Sequence, residues 1–74
     1  MKNTIGSIIL THRKSSGLTQ SQLAQMAGVG KTVVFDIEHG KQTVRLETLM
    51  KIMKVLNIKM QLTSRLMEMT EVTQ

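Results

Sequence analysis

Apolar residues recur three and four positions apart through most of the chain, and the polar residues between them punctuate four helical stretches. Ile5, Ile8, Ile9 and His12 share helical spacing, which predicts a helix over 4–15 with Asn3 or Thr4 as its N-cap and Ser15-Ser16-Gly17 as its stop. Thr19 followed three residues later by Gln22 is a capping-box pattern, in which each side chain satisfies the other residue's backbone N–H. Leu18 and Leu23 flank it at hydrophobic-staple spacing, so a second helix is predicted over 20–27, burying Leu23, Ala24 and Ala27. Gly28-Val29-Gly30 breaks that helix and turns Val29 toward the core. A third helix over 31–39 buries Val34 and Ile37, and Gly40 ends it in a left-handed position. The fourth, over 45–56, places Leu46, Leu49, Ile52, Met53 and Leu56 on one stripe, with Asn57 as its C-terminal cap.

From Ile58 the period changes. Ile58, Met60 and Leu62 alternate with Lys59 and Gln61, as in a half-buried strand. The pattern offers no second strand in the chain, and a lone strand leaves backbone groups unpaired. The expected partner is therefore the same strand of another copy. The predicted fold is all-α: a four-helix domain over 1–62 with a short C-terminal strand pairing across a dimer, followed by a flexible tail over 63–74.

The unit over 18–40 is the informative part. Two short helices joined by a glycine-containing turn match the helix-turn-helix motif, whose second helix enters the major groove of DNA. Ala24 is small enough for the two helices to cross closely, and Val29, Val34 and Ile37 anchor the second from beneath. Its outward face is expected to carry Lys31, Thr32, Val33, Phe35 and Asp36.

Charge agrees with this reading. The chain of 74 residues has a formal net charge of +5, and its first 62 residues hold all but one of the basic groups while two of the acids, Glu68 and Glu71, lie beyond them. So small and basic a domain attracts polyanions, and Lys41 and Arg45 near the motif are placed to meet phosphates. Phe35 is the single aromatic, so no stacking platform exists for unpaired bases and duplex DNA is favoured over single strands.

Other chemistries find little to build on. There is no cysteine, and the histidines His12 and His39 have no second ligand at metal spacing. Asp36 and Glu38 are two apart on a helix and point to different faces. Gly28-Val29-Gly30-Lys31-Thr32 looks like the end of a phosphate-binding loop, but Gln25 stands where that loop needs glycine. No apolar run approaches the ~20 residues of a membrane span. The expectation is a cytoplasmic, non-enzymatic protein with no cofactor, no small-molecule substrate and no membrane partner.

The run Gly17-Leu18-Thr19-Gln20-Ser21-Gln22-Leu23-Ala24, with Gly28-Val29, Ile37-Glu38 and Gly40-Lys41, resembles the Xre/phage-repressor family over residues 5 to 58. The continuation Gly40-Lys41-Gln42-Thr43-Val44-Arg45-Leu46-Glu47-Thr48-Leu49, ending in Leu56-Asn57-Ile58 and a strand, is similar to the HipB-type antitoxin branch of that family. The resemblance implies a lambda-repressor-like domain acting as a homodimeric repressor on a near-palindromic operator. It further implies autoregulation of an operon and binding of a HipA-type kinase toxin. By the same resemblance Gln20 meets the DNA backbone, Lys31, Thr32, Val33 and Asp36 reach base edges, and Arg13 and Glu38 form a structural ion pair. Lys31 would then donate to guanine, and Val33 would touch a thymine methyl. Gly30 departs from the family's Ser or Thr helix cap, and Phe35 and Asp36 are unusual on a DNA-facing helix. Two other readings fit: a stand-alone phage- or plasmid-type regulator without a toxin, and a protein-binding adaptor that has lost DNA binding.

Overall fold

The computed structural model describes residues 4–62 and 70–72. Four helices follow one another, α1 (Ile5–Ser15), α2 (Gln20–Ala27), α3 (Lys31–Glu38) and α4 (Leu46–Val55), and two short strands follow, β1 (Met60–Leu62) and β2 (Thr70–Val72). Thr4 caps α1, its hydroxyl accepting from the Ser7 N–H at 3.1 Å. Thr19 and Gln22 form the reciprocal box at the start of α2, with the Gln22 N–H on the Thr19 hydroxyl at 3.0 Å and the Thr19 N–H on the Gln22 side chain at 2.8 Å.

All four helices end by the same device. Gly17, Gly28, Gly40 and Asn57 each take a positive φ, of 73°, 73°, 92° and 59°. The next residue's N–H then reaches back five positions: Leu18 to the Arg13 carbonyl, Val29 to Ala24, Lys41 to Asp36 and Ile58 to Met53. This is the Schellman pattern, which satisfies orphan carbonyls and swings the following side chain onto the helix it has left. Leu18, Val29 and Ile58 do pack against the core.

That core consists of Ile9, Leu23, Ala24, Val34, Ile37, Leu49, Ile52 and Leu56, with no polar residue among the buried ones described. α2 packs on α3 and α4, and α1 packs on α3. Two apolar positions assigned to helical stripes prove exposed, Ile5 at the start of α1 and Leu46 at the start of α4. Each is the first residue of its helix. On α1 the buried places go to Gly6 and Ile9.

Gly6 is buried because α1 crosses the end of α3 at backbone distance. A Cβ at this position would overlap the Ile37 carbonyl oxygen and come within 3.4 Å of Glu38 Cα.

The C-terminal strand requires a correction. β1 begins at Met60 rather than Ile58 and has a partner within the chain: Met60 pairs with Val72, Gln61 with Glu71 and Leu62 with Thr70, antiparallel. The inference that no second strand exists fails because Thr70–Val72 is too short to show a period. Ile58 and Met60 also pack against their own domain's core. The elimination argument for pairing across a dimer is thereby removed. The expected flexibility of the tail falls, apart from Thr70–Val72, on residues outside those described. No helix among the described residues is long and apolar enough to cross a membrane.

Candidate nucleic-acid interface

α3 divides cleanly by exposure. Val34 and Ile37 are buried, Val33, Asp36 and Glu38 are half-buried, and Lys31, Thr32 and Phe35 are exposed. Of the five residues expected on the outward face, three are there. Val33 packs against the core instead, and Asp36 is turned aside by Lys41, whose ammonium lies 3.7 Å from its carboxylate. The Lys41 N–H also bonds the Asp36 carbonyl at 2.9 Å. An acid that would repel phosphate is thus partly neutralised by its own chain.

The N-terminus of α3 carries no side-chain cap, since Gly30 has none to offer. Its first N–H groups are left for water or an anion, at the positive end of the helix dipole. Beside α3, a cleft of about 310 Å³ is lined by Val33, Asp36, Lys41, Thr43, Arg45 and Thr48 among others. The loop into α4 therefore sets Lys41 and Arg45 alongside the recognition unit, where two cations and two hydroxyls can follow a phosphate backbone.

Beneath this surface lies a polar lock. Arg13 Nε donates to Glu38 Oε2 at 2.6 Å and Nη2 to Oε1 at 3.0 Å, while Nη1 holds the Leu18 carbonyl at 2.9 Å. Gln20 adds a third donor to the same carboxylate, Nε2 to Oε1 at 3.0 Å. The glutamine expected at the DNA backbone is engaged inward, tying α2 to α3. The carboxylate at the end of α3 so gathers α1 and α2, and Arg13 ties in the α1–α2 turn.

Burial alone would raise the Glu38 carboxyl, but the hydrogen bonds from Arg13 and Gln20, with the charges of Arg13 and His39, outweigh it and hold the group below its usual range. Arg13 is pushed up, chiefly by its hydrogen bond to Glu38. A depressed acid stabilises the fold above its unfolded pKa and loses that contribution as pH falls through its folded pKa. Thermal stability should therefore decline as pH drops below ~4.3, the ordinary glutamate value. In Glu38→Gln that segment of the decline should flatten, and parallel melting curves for the two proteins would assign it to other groups.

Two contacts had a readable signal that the apolar pattern did not use. Phe35 and His39 are four apart on a helix, the spacing at which side chains meet; their rings stack with centroids 3.9 Å apart. A glycine inside a helix with no turn to make, as at Gly6, signals close backbone approach.

A helix-turn-helix family model matches residues 9–62. The chain is 35% identical over 52 residues to y4mF of Sinorhizobium fredii, an uncharacterised HTH-type transcriptional regulator, across 70% of this chain and 68% of that one. SinR, the master regulator for biofilm formation, solved in complex with DNA, superposes with a TM-score of 0.70 at 34% identity, covering 74% of this chain and 89% of that one. SinR is a Bacillus subtilis protein. In the SinR–SinI complex the match covers 54% of the SinR chain, so this chain spans about half of that length. The restriction-modification controller protein C.AhdI of Aeromonas hydrophila gives a TM-score of 0.68 at 30% identity, over 73% of this chain and 82% of that one. The motif geometry and these likenesses agree, and the chain belongs to the Xre-like helix-turn-helix family of DNA-binding transcriptional regulators.

Proposed function

We propose that this protein is a sequence-specific transcriptional repressor that binds a near-palindromic operator as a homodimer in the cytoplasm. The observation that carries the reading is α3 itself: its buried side anchors it to the core, while Lys31, Thr32 and Phe35 stand clear. Lys31 and Thr32 supply donors and an acceptor for base edges, and Lys41 and Arg45 supply cations for phosphates. Two copies present two such helices to successive major grooves, about 34 Å apart along one face of the duplex. The candidate dimer strand is β1, with Met60 and Leu62 in it and Ile58 just before it, since a two-stranded ribbon keeps an outer edge that a second copy can extend.

A finer reading makes the protein the antitoxin of a HipA-type kinase operon. It is supported by the resemblance of residues 40–58, and it is tested by asking whether co-expression relieves growth arrest caused by a kinase encoded beside it.

The repressor reading is tested by selecting binding sites from random duplex DNA at ~50 and ~200 mM salt, with sedimentation equilibrium run on the same protein. A near-palindrome, a dimer mass and an affinity that falls by orders of magnitude between those salts are the expected results. Lys31→Ala with Thr32→Ala should erase the preference at the base pairs those two side chains read and leave the dimer mass unchanged. A double variant that selects the same consensus would place base reading elsewhere on the surface.

A further inference from the structure

We infer that Phe35, braced by His39, is a specificity residue that reads the 5-methyl group of a thymine in the major groove. The inference rests on the DNA-binding reading above and assigns one position of the operator. Phe35 is the chain's only Phe, Tyr or Trp, and it is 47% exposed, one turn along α3 from Lys31 and Thr32. The apolar contact that sequence reasoning gave to Val33 cannot be made as freely from there, because Val33 is committed to the core.

The ring is also held in place. His39 stacks on it with the planes inclined by 23°, and His39 Nδ1 donates to the Phe35 carbonyl at 2.7 Å. An apolar plate fixed before binding gives up little side-chain entropy on contact. Leaving such a ring in water forgoes part of the stabilisation that burying it would yield, and nothing described in the chain covers it. Along the major-groove edges of the four bases the thymine methyl is the one apolar group. Lys31 and Thr32, one turn away, handle polar edges, and the pairing of Asp36 with Lys41 withdraws the acid that would repel DNA nearby.

The test uses the full chain and the duplex it selects. Sites are selected from random DNA with the wild type, Phe35→Ala and Phe35→Leu, and each thymine of the wild-type consensus is then replaced by deoxyuridine, which removes only the methyl. At one thymine per half-site the wild type should lose about fourfold in affinity, equivalent to ~0.8 kcal/mol for one buried carbon. Phe35→Ala should be indifferent to the same exchange and keep the rest of the consensus and the salt dependence, while Phe35→Leu should retain part of the preference. The inference is overturned if no thymine is sensitive in the wild type, or if Phe35→Ala is equally sensitive. It is also overturned if Phe35→Ala changes the sedimentation mass and leaves the consensus intact, which would make the ring a protein contact. A wild type that selects no consensus fails at the first step, and there the repressor reading falls together with the inference. Phe35 lies outside the buried core, so coincident melting curves are expected for the three proteins.

Discussion

Glu38→Ala is expected to lower the stability of this domain by about 3 kcal/mol, the lower end of what breaking a buried ion pair costs. The Glu38 side chain is 2% exposed and that of Arg13 11%, so the substitution strips the partner from a guanidinium that water barely reaches. Arg13 cannot easily swing outward, because Nη1 remains bonded to the Leu18 carbonyl. Gln20 loses its acceptor at the same time. For a chain of this size the loss corresponds to a fall in Tm of roughly 15 °C, measured by circular dichroism. The decisive companion is Arg13→Met with Glu38→Leu. Removing both charges leaves no orphaned ion, so most of the stability should return, short of the wild type because Leu18 and Gln20 still lack partners. A double variant as unstable as the single one would mean that packing, and not charge, accounts for the loss.

Gly6→Ala is expected to have the second-largest effect, for a steric reason. Gly6 is the second residue of α1, and the helix-interior preference of alanine over glycine, ~1 kcal/mol, sets the upper limit of what propensity alone would gain. The new Cβ, however, meets a backbone carbonyl, that of Ile37, and a carbonyl has no rotamer to change. α1 must move away from α3, loosening Ile9, which is 1% exposed in the core. Overpacking of this kind costs about 3 kcal/mol at its upper end, which exceeds the propensity gain and leaves a net loss near 2 kcal/mol. Tm should fall by about 10 °C. A rise in Tm would show that the crossing of α1 and α3 yields at little cost.

The helices were legible in the sequence because their signals are local. Thr19 with Gln22, and Gly17, Gly28, Gly40 and Asn57 after the last apolar residue of each stretch, fix starts and stops within a few residues. The deepest core positions, Ile9, Leu23, Val34, Ile37 and Ile52, follow from local spacing. What escaped depends on distance between elements. That Gly6 faces Ile37, that Gln20 turns inward and that Lys41 answers Asp36 are facts of how α1, α2 and the α3–α4 loop approach α3. The Arg13–Glu38 pair was reached only through family resemblance, since two charges 25 residues apart carry no pairing signal of their own. β2 was missed because three residues cannot display an alternation.

The split of α3 into two non-overlapping sets has a consequence for how such a regulator can change. Val34, Ile37 and Glu38 hold the helix in place, whereas Lys31, Thr32 and Phe35 are exposed and lie outside the core. Exposed substitutions away from caps and the core typically shift stability by no more than ~0.5 kcal/mol. A duplicated copy of this chain is therefore free to drift at those three positions and, on the reading proposed above, to acquire a new operator through intermediates that still fold. The scaffold and the address it reads can evolve on separate clocks.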